Sequence, residues 1–137
     1  EVINPALARG EAVVSDRFAD STLAYQGYGR GLDVADLRRL NDIATGGLTP
    51  DLTVLLDISV EASVQRRKPR AADRFESELP GGNDGASDQT FHQKVRQGFL
   101  DLAGSSPDTW LVVDAVLPRR EVSRLIRARV SDLLRPR

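Results

Sequence analysis

Three short apolar runs, each closing on an aspartate, constrain this chain most: Ala12-Val13-Val14-Ser15-Asp16, Leu52-Thr53-Val54-Leu55-Leu56-Asp57 and Trp110-Leu111-Val112-Val113-Asp114. Runs this continuous read as strands covered on both faces, and the helical patterns between them supply the crossovers that parallel strands need. The order helix, strand, helix, helix, strand, helix, loop, helix, strand, helix predicts an α/β fold, a parallel sheet with helices on both faces. Three strands make a thin sheet of that kind. The chain also opens on Glu1 rather than Met, inside what reads as a helix end, with Val2, Ile3, Ala6 and Leu7 at spacings of three and four before Gly10. Both features lead us to expect that N-terminal strands of the fold lie outside these residues.

The helical stretches have their own punctuation. Residues Phe18 to Gln26 read as a helix broken by Gly27, Gly29 and Gly31. Val34, Leu37, Leu40 and Ile43 recur at threes until Gly46-Gly47 stops the pattern. Ser59 is placed to cap the helix after the second strand. Phe91, Val95, Phe99, Leu102 and Ala103 form one stripe, which predicts a long helix buried against the sheet. Pro118 suits a first helical turn, and Val122, Leu125, Ile126, Val130, Leu133 and Leu134 make a closing amphipathic helix. Between Arg66 and Arg74 the chain is basic, and Pro80 to Gly85 carries three glycines, so this stretch reads as a mobile polar excursion.

Composition limits the function classes. At 137 residues the chain suits one domain, which buries about two-thirds of its unfolded surface. Its apolar runs are too short to span a bilayer, so no membrane role is expected. With no cysteine, disulfides and thiolate metal sites are excluded, and cytoplasm is the default compartment. A net charge of -1 offers no global field for nucleic acid or anionic lipid, so any anion site must be local.

In open α/β sheets ligands bind beyond the C-terminal strand ends, here Asp16-Arg17, Asp57 and Asp114. Arg17 offers two N–H donors to a phosphate, and Asp16 can hold water bound to Mg²⁺. An internal salt bridge at a strand end explains the pair equally well. Asp57 and Asp114 equally suit the satisfaction of strand-end backbone groups. His92 has no second histidine to make a metal site with, and fits a packing or surface role.

The stretch Ser15-Asp16-Arg17-Phe18-Ala19-Asp20-Ser21-Thr22-Leu23-Ala24-Tyr25-Gln26-Gly27, then Tyr28-Gly29-Arg30-Gly31, resembles the monophosphate-binding segment of thymidylate kinases. The resemblance continues in family order through Pro50 to Asp57, Asp73-Arg74-Phe75-Glu76, Phe91-His92 with Val95-Arg96, Phe99 to Ala103, and Asp114-Ala115. It covers nearly the whole chain. It implies a P-loop nucleoside-monophosphate kinase fold and transfer of the ATP γ-phosphoryl group to dTMP with Mg²⁺, a step towards dTTP. It further implies that Arg17 grips the dTMP phosphate, that Asp16 stands near the metal, and that Ser21, Thr22, Tyr25 and Gln26 line the thymidine pocket. For Tyr25, a helix-packing role is the alternative. Arg66, Arg67, Lys68, Arg70 and Arg74 resemble the family's LID, about residues 66–87, with Arg66, Arg70 and Arg74 as catalytic cations. Arg66, Arg67, Asp114 and Ala115 fall where the family holds ATP. The Arg-rich LID resembles that of family members whose catalytic arginine sits there rather than in the phosphate loop. The stretch from Pro80 to Gly85 looks longer than the family's usual LID. Homodimers are typical of the family.

No G-x-x-x-x-G-K-[S/T] occurs in these residues, although in this family that loop cradles the ATP phosphates. The expectation is that residues 1 to 137 alone fold poorly and lack kinase activity, as the C-terminal portion of such a domain. Two other readings stay open: a kinase for another nucleotide, and a non-catalytic remnant that binds nucleotide or a partner subunit. Nucleic-acid binding by the basic loop has little support, because the run is short and lacks interleaved aromatics.

Overall fold

A computed structural model describes residues 2–66 and 85–135. Their elements are α1 (Ile3–Ala8), α2 (Ala19–Thr22) running directly into a π-helical stretch (Leu23–Gly29), α3 (Val34–Thr45), β1 (Thr53–Asp57), α4 (Val60–Arg66), α5 (Gly85–Ser105), β2 (Trp110–Asp114) and α6 (Arg119–Leu133). The strands β1 and β2 pair in parallel, with Thr53 opposite Trp110 and Asp57 opposite Asp114. The expected parallel α/β pattern is therefore present, and both strands end on their aspartates at the same edge.

The strand expected over Ala12 to Asp16 does not form. Residues 11–15 carry no regular structure and lie exposed, Val14 at 97%. A strand needs a neighbour to pair its N–H and C=O groups, and among the described residues the one sheet is the β1–β2 pair. The thinness of that pair also alters the second expectation. Leu56 on β1 and Val112 on β2 are about half exposed rather than covered on both faces.

The helix after Arg17 outlasts its expected end at Gln26. Gly27 and Gly29 do not break it, because close packing requires them inside it. A Cβ on Gly29 would sit 2.6 Å from Phe91 Cε2 of α5, and one on Gly98 of α5 would sit 2.5 Å from Tyr28 Cγ. The two helices thus approach through their glycines. The chain turns only at Arg30 and Gly31, the latter at φ 78°. Next, Asp33 caps α3 by accepting from the Asp36 amide at 2.9 Å, and Gly46 ends it in the left-handed conformation. Of the stripe on α3, Leu37 is buried while Leu40 and Ile43 are exposed.

The core lies between these helices. Leu23, Ala24, Leu37, Val95 and Leu102 are its buried members, with Tyr25, Tyr28, Phe91, Phe99 and Trp110 packed against them. The stripe on α5 is the buried side of that helix, as expected, but it meets the π-helical stretch more extensively than it meets the sheet. Ser59 caps α4 as expected, its hydroxyl accepting from the Ala62 amide at 3.2 Å. Pro118 stands at φ -55° immediately before α6, which packs on β2 and buries no residue fully.

Candidate nucleotide site

Asp16 and Arg17 lie in the turn between residues 11–15 and α2, both exposed. Arg17 engages Tyr25. Arg17 holds φ at 64°, a left-handed conformation that side-chain-bearing residues seldom adopt. The Ser15 hydroxyl donates to the Arg17 carbonyl at 2.9 Å and ties the turn. Arg17 Nη2 donates to Tyr25 Oη at 3.1 Å, while the guanidinium carbon lies 4.9 Å from the ring centroid. Both contacts orient the cation.

Tyr25 is in turn wedged by α5. Its ring meets Phe91 edge-on with centroids 6.1 Å apart, and Phe99 at 6.3 Å. Tyr25 therefore packs, the alternative that the sequence offered for it, and its hydroxyl also reaches the arginine, a contact the sequence did not indicate. Ser21, Thr22 and Gln26 are half-buried on the same helix.

At the ends of β1 and β2 a second group assembles. Arg66, the last residue of α4, donates from Nη1 to the Ala115 carbonyl at 2.8 Å. Asp114 Oδ1 accepts the Val116 amide at 2.8 Å, and the Ala115 amide continues the ladder to the Asp57 carbonyl at 2.8 Å. Asp114 thus has the backbone role that the sequence allowed. Arg67, Lys68, Arg70 and Arg74, with Asp73 and the rest of the 67–84 stretch, lie outside the described residues.

The sequence reading missed one feature here. Asp57 forms a two-pronged pair with Arg96 of α5, Nε to Oδ1 at 2.7 Å and Nη2 to Oδ2 at 2.8 Å. The arginine holds the Asp57 carboxyl below its usual range; burial opposes the shift and the Ile58 amide assists it. The signal was available: Asp57 ends a strand, and Arg96 follows the stripe residue Val95 directly. It was overlooked because a backbone role alone seemed enough for Asp57.

This pair lines a cleft of about 220 Å³ that is shared with Tyr25, Val60, His92 and Phe99. Among the described residues, neither Arg17 nor Arg66 lines it; Arg17 touches its lining residue Tyr25, and Arg66 ends α4, whose Val60 and Val64 line it. His92 packs edge-on against Phe91 with centroids 5.5 Å apart, in keeping with a packing role. Within α2, Asp20 is half-buried; burial pushes its carboxyl up, while Arg38 and the Thr53 hydroxyl oppose that.

Strand-end aspartates and a cleft lined by the end of β1 define an α/β protein whose candidate site lies at the C-terminal ends of its strands. Residues 1–126 match the family model for thymidylate kinase. A thymidylate kinase of Desulforudis audaxviator is 51% identical over the whole chain, and one of Deinococcus radiodurans is 50% identical over 96% of it. The crystal structure of thymidylate kinase from Ehrlichia chaffeensis superposes with a TM-score of 0.63 at 31% identity, covering 92% of this chain and 54% of that one. This chain belongs to the thymidylate kinase family and has its P-loop kinase fold. It spans 58% of the Desulforudis protein and 60% of the Deinococcus one.

Proposed function

We propose that the protein carrying these residues transfers the γ-phosphoryl group of ATP to dTMP, giving dTDP and ADP, and that this chain supplies the acceptor-holding wall and the LID. The observation that carries this reading is Arg17, held in a left-handed turn and seated on Tyr25 with its guanidinium at the surface. Such an arginine forks two charge-assisted bonds onto a monophosphate, and a held fork loses less freedom on binding than a free one. Beside it Ser21, Thr22, Tyr25 and Gln26 face the nucleoside, with hydroxyl and amide groups for the pyrimidine edge and a ring to crowd the sugar.

The strand-end group serves the donor. Arg66, on the Ala115 carbonyl, and Asp114 stand on the side assigned to the adenine, where main-chain groups do much of the contact, and Arg67 is assigned to the same substrate from the family resemblance. Arg70 and Arg74, with Arg66, bring positive charge to the transferred phosphoryl as the LID over residues 66–87 closes, which also excludes water. Among the described residues no group of three or more His, Cys, Asp or Glu could hold a metal ion. Mg²⁺ keeps several waters and needs few carboxylates beside substrate phosphates, and Asp16 would supply one through water. When bound, Mg²⁺ would neutralise charge on the phosphates. Among the described residues no helix is long and apolar enough to cross a membrane. We place the enzyme in the cytoplasm, as a homodimer of the family type.

Coupled ADP release by a family-length polypeptide carrying these residues, offered dTMP, dUMP, UMP and AMP, tests the reading. A preference for dTMP supports it; equal rates, or a preference for another acceptor, would overturn it. Residues 1 to 137 alone are expected to release no ADP in response to dTMP.

A further inference from the structure

The carbonyl of Ala19, first residue of α2, accepts a hydrogen bond from Nδ2 of Asn41 on α3 at 2.9 Å. The contact is partly buried and joins positions 22 apart in sequence. It falls one turn before the helix changes its ladder. The Leu23 amide donates three residues back, to Asp20, and from Leu23 the bonding widens to π, with the Arg30 amide reaching the Tyr25 carbonyl at 3.2 Å. A carbonyl has two lone pairs, and a side chain that takes one of them at a helix start fixes how that turn enters the next. Single π-helical insertions are concentrated at functional sites because they re-aim the side chains beyond them.

Tyr25 is the third residue of the π-helical stretch, and its hydroxyl and ring are what hold Arg17. The side chain that anchors the start of this helix thus governs where the tyrosine meets the arginine. A second strap runs in parallel: Asp20, next to Ala19, faces Arg38 on the same helix as Asn41, one turn earlier, and Thr53 at the start of β1. We infer that Asn41 is a positioning residue of the acceptor site, which fixes the entry of α2 so that Tyr25 presents Arg17 to the monophosphate. The inference rests on the kinase reading above for its substrate, and on the Asn41–Ala19 contact for its geometry.

In a family-length polypeptide, Asn41→Asp keeps the shape but turns an acceptor oxygen towards the Ala19 carbonyl. The expected result is a KM for dTMP raised about tenfold, with the KM for ATP unchanged and kcat within about twofold, the loss of one buried hydrogen bond acting on one substrate. Asn41→Gln, which keeps the donor on a longer arm, should recover to within about threefold of the parent. If Asn41→Asp does not fold, Asn41→Ala gives the same comparison. An unchanged KM for dTMP, or equal loss for both substrates, overturns the inference. If the parent protein fails to phosphorylate dTMP, the kinase reading falls on its own. The positioning role is then read by amide hydrogen exchange: faster exchange in Asn41→Asp confined to Leu23–Gly29 supports it, and unchanged protection there overturns it.

Discussion

The two sides of the cleft are built by different means. The side that carries Arg17 is a packed wall: Ala24 is wholly buried, Leu23 and Val95 nearly so, and Tyr25 is gripped by two phenylalanines. The side at the strand ends is held by single polar contacts, such as Arg66 on the Ala115 carbonyl, while Leu56 and Val112 stay about half exposed. A packed wall fixes a side chain within a fraction of an ångström, and interior packing resists deformation. Arg66 is exposed and has no comparable packing around it. The contrast fits the proposal above, in which Arg17 holds the acceptor.

Breaking the rigid side should produce the largest effect. Arg17→Ala in a family-length polypeptide removes two charge-assisted bonds, each contributing about 1.5–3 kcal/mol, so kcat/KM for dTMP should fall about 100-fold or more. Arg17→Lys should recover little, since it keeps the charge but loses the fork. Steady-state kinetics with dTMP varied at saturating ATP checks both. An unchanged kcat/KM would remove Arg17 from the site.

The same contrast explains how much could be read in advance. β1, β2, α3 and α6 follow from apolar runs and periodicity, the two strands because each also has the other to pair with. The pairing of Arg17 with Tyr25 was half legible: both residues were picked out, but eight positions apart on a turn and a helix, their contact depends on where α5 presses the ring. The π-helical stretch was not legible. Gly27 and Gly29 normally signal a break; Val34 of α3 makes Gly27 a point of close approach, and Phe91 and Val95, more than sixty residues on, do the same for Gly29. Nor was the failure of the strand at Ala12 to Asp16, since an apolar run specifies that it wants burial and does not specify by what.

Packing inside the rigid wall gives the next effect. Gly98→Ala would place a Cβ 2.5 Å from Tyr28 Cγ, so the ring or the helix must shift. Overpacking of this kind costs about 1–3 kcal/mol, only partly offset by the better helix propensity of alanine. Gly104→Ala, on the same helix with nothing within 4 Å of its Cβ, should be neutral or stabilise by up to about 1 kcal/mol. Urea unfolding of the two variants separates them, and equal midpoints would show that the close approach at Gly98 is not tight.

At the strand ends the expected change is smaller and selective. Arg66→Ala removes one exposed bond to a carbonyl, worth about 0.5–1 kcal/mol, and one of the three cations proposed for the transferred phosphoryl, so kcat should fall and the KM for ATP should rise about two- to fivefold while the KM for dTMP stays put. A rise in both would mean that the two sides are not separately built.

The smallest effect tests the joint between the sides, where Asp57 at the end of β1 meets Arg96 on the wall helix α5. The pair is two-pronged but partly open to water, Arg96 being 40% exposed, so solvent screening limits it to about 0.5–1 kcal/mol. Arg96 lowers the carboxyl's pKa in the folded protein below the unfolded value of about 3.9. A lowered folded pKa means that the pair's contribution is fully present above the unfolded value and is lost as pH falls through the folded one. Wild type should therefore be more stable than Asp57→Asn by a constant margin from neutral pH down to about 5, a margin that shrinks below about pH 4. Urea unfolding of a family-length polypeptide and its Asp57→Asn variant at pH 7, 5 and 3 measures it. A margin that persists undiminished at pH 3 would mean that shape rather than charge joins the two sides. In that case the strand ends would belong to the packed wall, and the division between the packed side and the side held by single polar contacts would have to be drawn beyond Asp57, at Arg66.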